Sequence, residues 1–279
     1  MSKIITNDYG ERYQTPGFWK TAGAIVVGNT AYGLVNNAKI PVSRYCLNTM
    51  KSLSQSCDTV TLKSAVGKAF ASAELASKGV KLKNVNENSV IINRIYDNLP
   101  DFIKKLVSPF DAAKRGNNAF YLPKDKMIIV NLDKLGMSTF HEMGHAVNHN
   151  CSKFWKYVQK SRQPLLALAG IMSTIALFKR PKADGEQPKN SFDKATTFIK
   201  NNVGKLVTLS FVPIVAEELM ASHRGNKMAE KVLSKEMLAK VKKFNKLGAI
   251  TYIATGLTMG LGAFVATKVR DEIAHPKEV

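Results

Sequence analysis

The sequence is short of cysteine, of acidic residues and of aromatics, and each shortage removes a class of protein. Its three cysteines (Cys46, Cys57 and Cys151) among 279 residues are odd in number and without repeated spacing. That excludes a disulfide-stapled secreted scaffold and fits a reducing compartment. Asp and Glu total 21 against 41 Lys and Arg, a formal net charge of +20. Such a surface favours anionic partners, either nucleic acid or the phosphate face of a membrane. Aromatics are only 8%, and no Arg-rich stripe or recognised nucleic-acid motif accompanies the charge, so no specific nucleic acid is expected. Lysines spread along the whole chain point to solvation and lipid proximity instead. Residues 1–13 are polar and lack the apolar core and cleavage site of a secretory signal, so none is expected. There is no internal repeat and no low-complexity tract. Apolar residues, at 45%, rule out disorder over the whole length.

What is present begins with one long apolar run. Residues 247–267 carry no charge over 21 positions between Lys246 and Lys268, and a helix of that length matches the hydrocarbon thickness of a bilayer, about 30 Å. Gly256 and Gly260 form a GxxxG pair that lets membrane helices approach closely. Three weaker stretches are 21–38, 163–178 and 206–216. Pro164 is well placed to start a helix in the second, and the third runs straight into Glu217 and Glu218. The two short ones suit buried core helices or a shallow membrane hairpin. Residues 39–162 read as a soluble α+β region. Helical spacing covers 59–79 and 101–114, 89–92 reads as a strand, and 119–122 with 127–130 reads as a hairpin or two adjacent strands. Residues 179–205 suggest a loop with a short helix, and 228–244 an amphipathic basic helix.

The chemistry concentrates in Phe140-His141-Glu142-Met143-Gly144-His145. Histidines four apart stand one turn apart on one helix face, where two neutral imidazoles can bind one zinc ion. Glu142 is then positioned beside a zinc-activated water as general base. From Leu135 to Val147 the only formal charge is Glu142, so this helix is expected to be buried, and buried histidines and a glutamate demand a partner. The strand at 127–130 precedes it, as a substrate-aligning edge strand would. For a third ligand the sequence offers Cys151, ten residues after His141, and Glu218. His149 suits a helix-end histidine facing solvent or a carbonyl. Two consecutive carboxylates ending an apolar segment are costly unless a cation neutralises one. Glu217 is the competitor for that role, or a solvated neighbour.

With these residues the chain resembles a gluzincin metallopeptidase, most closely the membrane family of HtpX and the CAAX prenyl endopeptidases. In that family HExxH is followed by a hydrophobic hairpin and then a glutamate in an ExxAD pattern. Here the order is His141-Glu142-Met143-Gly144-His145, two apolar stretches, then Glu218-Leu219-Met220-Ala221-Ser222. The match covers the two motif segments, about a tenth of the chain. The resemblance implies His141, His145 and Glu218 as ligands of one Zn2+ per chain and Glu142 as base. One position departs: the Asp expected four residues after the ligand Glu is Ser222, whose hydroxyl would orient a ligand histidine more weakly. His223 and Arg224 are candidate oxyanion donors, with Tyr121 as a weaker one on the strand side.

These readings give a mainly α fold with a small β-sheet (α+β), a zincin-like catalytic domain and transmembrane helices. Residues 1–38 would form an N-terminal segment with a candidate membrane helix. Residues 39–246 would be the metallopeptidase domain, interrupted by an apolar hairpin at 164–216, and 247–279 a transmembrane helix and tail. The expected function is a membrane-anchored zinc endopeptidase acting on polypeptides. Of the 41 basic residues, 28 fall on its catalytic side, which favours a cytoplasmic catalytic face. The competing expectation is a non-catalytic basic protein that binds membrane or nucleic acid, with an incidental HExxH.

Overall fold

Helices dominate the computed structural model, which describes residues 2–85 and 109–279. In chain order the elements are β1 (Ile4–Thr6), β2 (Arg12–Gln14), α1 (Phe18–Asn37), α2 (Lys39–Gln55), α3 (Thr59–Ser72), β3 (Lys81–Asn84), β4 (Phe120–Leu122) and β5 (Met127–Val130). Then come α4 (Leu132–Leu135), α5 (Ser138–Cys151), α6 (Lys153–Phe178), α7 (Ser191–Glu230), α8 (Lys235–Ala274) and β6 (Lys277–Glu278). The mainly helical α+β class holds. The strand expected at 89–92 lies outside the described residues, as does most of the helix expected at 101–114, of which 109–114 is helical.

The chain divides into two compact units. One comprises Val42–Lys160 and Ile214–Tyr252. Its sheet has the order β3-β5-β4, with β3 parallel and β4 antiparallel to β5. The hairpin expected at 119–130 forms, with β4 and β5 antiparallel and the chain turning through Lys126 at φ 48°. The strand at 127–130, however, is central rather than an edge. Ile128, Ile129 and Val130 are fully buried, so both faces of the strand are covered, while β3 and β4 pair along its two edges. Among the described residues the edge strands are β3 and β4. Asp58 caps α3 by accepting from the Thr61 amide at 2.7 Å, the arrangement that satisfies an orphan donor of the first turn. Leu62, Val66, Ile128, Phe140 and Met143 meet in the core of this unit, and Ser54 of α2 receives the Met137 amide at 3.3 Å just before α5.

The other unit comprises Met1–Pro41, Ser161–Pro213 and Ile253–Val279. Strands β1, β2 and β6 form an antiparallel sheet in the order β1-β2-β6. Small residues fill much of the interior, among them Ala24, Gly28, Ala169, Ala176 and Ala266. Val26, Leu34, Ile171, Leu209, Leu257 and Leu261 face outward.

Three long helices depart from the boundaries that apolar composition suggests. Pro164 does not start a helix but lies inside α6, because the polar residues before it are themselves good helix formers. The stretch at 206–216 belongs to the 40-residue α7, which begins at Ser191 within the segment expected to be a loop and short helix. The basic helix expected over 228–244 is interrupted after Glu230, and α8 restarts with the Ser234 hydroxyl accepting from the Met237 amide at 3.3 Å. Among the described residues two helices, α6 and α8, are long and apolar enough to cross a membrane.

Truncating Ile128 to Ala removes a fully buried side chain beneath α5 and is expected to cost about 2–5 kcal/mol. Asp58→Ala, which removes only the α3 cap, is expected to cost about 1 kcal/mol. Denaturant unfolding of the detergent-solubilised chain checks the ranking, and equal losses would contradict this placement of the core.

Candidate metal centre

Helices α5 and α7 build the centre by an unusually close antiparallel approach. A Cβ on Gly144 would lie 2.0 Å from the Ala221 carbonyl oxygen, and one on Gly225 would lie 2.4 Å from the Phe140 carbonyl oxygen. One turn further along both helices, Asn148 Nδ2 donates to the Glu217 carboxylate at 2.8 Å. Glycine at 144 and 225 is therefore a requirement of backbone meeting backbone. This contact brings HExxH and the Glu217-Glu218 pair face to face.

Three side-chain atoms converge between the helices. His141 Nε2 and His145 Nε2 are 3.0 Å apart, and Glu218 Oε2 lies 3.0 Å from the first and 3.4 Å from the second. Ligands held about 2.0–2.1 Å from a tetrahedral zinc ion stand about 3.3 Å from one another, so the set matches that geometry closely. The far side of each ring is also engaged. His145 Nδ1 donates to Glu217 Oε1 at 2.9 Å, and His141 Nδ1 lies 3.1 Å from Ser222 Oγ. Anchoring Nδ1 leaves Nε2 to coordinate, the role of the partners behind metal-bound histidines. Ser222 thus occupies the place where the family's Asp was expected and makes the contact through its hydroxyl.

The electrostatics favour a cation. Glu142, Glu217 and Glu218 are 6%, 2% and 1% exposed, so among these five side chains three buried carboxylates face two imidazoles. Burial alone would raise the Glu218 carboxyl, but His145 and His141 hold it well below the usual range. Burial likewise opposes a charge on His145, yet Glu218 and Glu217 push its proton affinity well above normal. The field that binds this proton also favours a divalent ion, which must displace the proton to coordinate Nε2. Both histidines and Glu142 lie close enough to share one ion, as do His145, Glu217 and Glu218. Glu217 is better spent behind His145, because its oxygen sits on the Nδ1 side.

Burial raises the Glu142 carboxyl, with His145 and His141 opposing, and a hydrogen bond from the backbone of Tyr121 on the edge strand β4 also holds it. A carboxylate with a raised proton affinity is a better general base at neutral pH.

The remaining candidates fall elsewhere. His223 is exposed on the opposite side of α7 from the Glu218–Ser222 face. Arg224 is half-buried, and its Nη1 has no hydrogen-bond partner among the described residues. The Tyr121 hydroxyl accepts from Asn150 Nδ2 at 3.0 Å. Cys151 is exposed at the end of α5. His149 is buried rather than solvent-facing, with Nδ1 3.0 Å from Gln159 Oε1. Glu217 and Asn148 are the site residues that motif reading misses as positioning groups. The readable signal was the spacing of small residues, Gly144 on one segment and Ala221 and Gly225 on the other. No protein-family model, curated protein or solved structure matches this chain.

Glu217→Gln removes the charge behind His145 and is expected to weaken zinc binding about 10–100-fold with the fold intact. Gly144→Ala forces the helices apart and is expected to lower thermal stability along with zinc affinity. Competitive chelator titration and thermal melts separate the two, and unchanged zinc affinity in both variants would contradict the geometry.

Proposed function

We propose that this chain is a membrane-associated zinc endopeptidase, with one zinc ion held by His141, His145 and Glu218. The observation that carries the reading is the convergence of two imidazole nitrogens and one carboxylate oxygen within 3.0–3.4 Å of one another, with Glu142 at the same helix turn. Zinc bound there would supply Lewis-acid polarisation of a carbonyl and the acidification of water. Glu142 takes a proton from the water that attacks the scissile peptide carbon and later delivers it to the leaving amine, so the bond is hydrolysed without net proton uptake by the enzyme. Glu217, Ser222 and Asn148 hold the two imidazoles and their partners in register while this happens. The edge strand β4, beside Glu142, is the backbone against which an extended polypeptide would align.

The membrane part of the reading rests on the length and apolar character of α6 and α8, and on outward-facing Val, Ile and Leu over a small-residue interior. Small residues between helices with large apolar ones outside is the pattern expected where acyl chains replace water. The basic surplus on the catalytic segments supports a cytoplasmic side for the metal centre.

Two experiments test this reading. Purified chain is expected to carry one zinc, to lose it in His145→Ala and to keep it in Glu142→Gln, with Glu142→Gln losing at least about 100-fold in peptide hydrolysis. Proteolysis retained in Glu142→Gln rules out the base; a stable zinc-free protein without proteolysis favours the non-catalytic reading. For sidedness, Cys151 is exposed while Cys46 and Cys57 are buried. A membrane-impermeant maleimide is expected to label Cys151 only after cells are permeabilised, whereas labelling in intact cells would put the centre on the outer face.

A further inference from the structure

A small cleft opens beside the metal centre within the same unit. It has a volume of about 130 Å³ and is lined by His141 and Glu142 of α5, Leu47 and Met50 of α2, and Asn245 and Gly248 of α8. An apolar cavity of about 150 Å³ is enough to hold benzene, so this one has room for a single side chain of intermediate size. Apart from His141 and Glu142, its charge-bearing potential is confined to the phenol of Tyr252, and an uncharged occupant suits it.

Two residues of α8 give the cleft its shape and polarity. A Cβ built on Gly248 meets no described atom within 4 Å. Glycine weakens a helix interior relative to alanine, and here no packing partner demands it. What its missing side chain leaves is space in the cleft. One turn earlier, Asn245 is 3% exposed and donates from Nδ2 to Asn226 Oδ1 at 2.7 Å. Its own Oδ1 has no partner among the described residues. A buried acceptor left unsatisfied is costly, and a donor brought in by an occupant would relieve it.

We propose that this cleft receives a substrate side chain flanking the scissile bond, and that Gly248 sets its depth. The side chain it fits is uncharged and of intermediate size, with a hydrogen-bond donor such as that of Gln or Thr favoured by Asn245. This inference rests on the peptidase reading and names the substrate specificity of that same site.

The test is digestion of unfolded casein by the full-length, zinc-loaded chain in detergent, with cleavage sites mapped by mass spectrometry. Wild type is expected to select intermediate, uncharged residues at one position beside the cut. Gly248→Leu fills the cleft while keeping zinc, and is expected to shift that position to Gly, Ala or Ser. The ratio of kcat/KM for intermediate over small residues should fall at least about tenfold. Gly248→Ala should shift it less in the same direction, and decides the matter if the leucine variant does not fold. Identical site preferences in all three proteins, or an equal loss at every site with zinc retained, overturn the inference alone. No cleavage by zinc-loaded wild type overturns the peptidase reading, and this inference with it.

Discussion

Everything at the centre depends on two helix backbones touching. Gly144 and Gly225 lack the Cβ that would strike the carbonyl of the facing helix, and without that contact Glu217 and Glu218 would not reach the histidines. The approach also buries three carboxylates where water cannot solvate them. Their mutual repulsion is tolerable only because His141 and His145 stand between them, and a divalent cation would neutralise more of it than a shared proton. Packing and electrostatics are therefore one problem here. The small residues permit the approach, and the approach creates a field that would favour a cation.

The division of labour between the two glutamates follows from helix geometry. Adjacent residues on a helix point about 100° apart, so Glu218 faces the Nε2 side of both rings while Glu217 reaches the Nδ1 side of His145. One carboxylate is thus placed where it could coordinate an ion, and the other where it orients an imidazole. The serine at 222 performs the second orienting contact with a neutral group, leaving His141 less strongly polarised than His145. The centre is asymmetric in its support as a result.

Much of this was readable from residue order alone. The HExxH spacing, the charge-poor run around it and the Glu pair after an apolar stretch are local patterns, and a local pattern survives whatever the rest of the chain does. The hairpin leading to β5 was equally local. What escaped was set by partners distant in sequence. The strand at 127–130 lies at the centre of its sheet because β3, more than 40 residues earlier, pairs with it. The helix starts at Lys153 and Ser191 carry no hydropathy signal, because hydropathy marks where a helix is apolar and not where it begins. The role of Glu217 was hidden because an EE doublet gives no sign of which residue turns toward which nitrogen until the facing helix is in place.

The account turns on which atoms hold the ion, and zinc K-edge X-ray absorption of the zinc-loaded chain reads them directly. It predicts a shell of nitrogen and oxygen only, with multiple scattering from two imidazoles and with one imidazole lost in His145→Ala. A sulfur scatterer at about 2.3 Å, placing Cys151 on the ion, or an absence of imidazole scattering altogether, would contradict it.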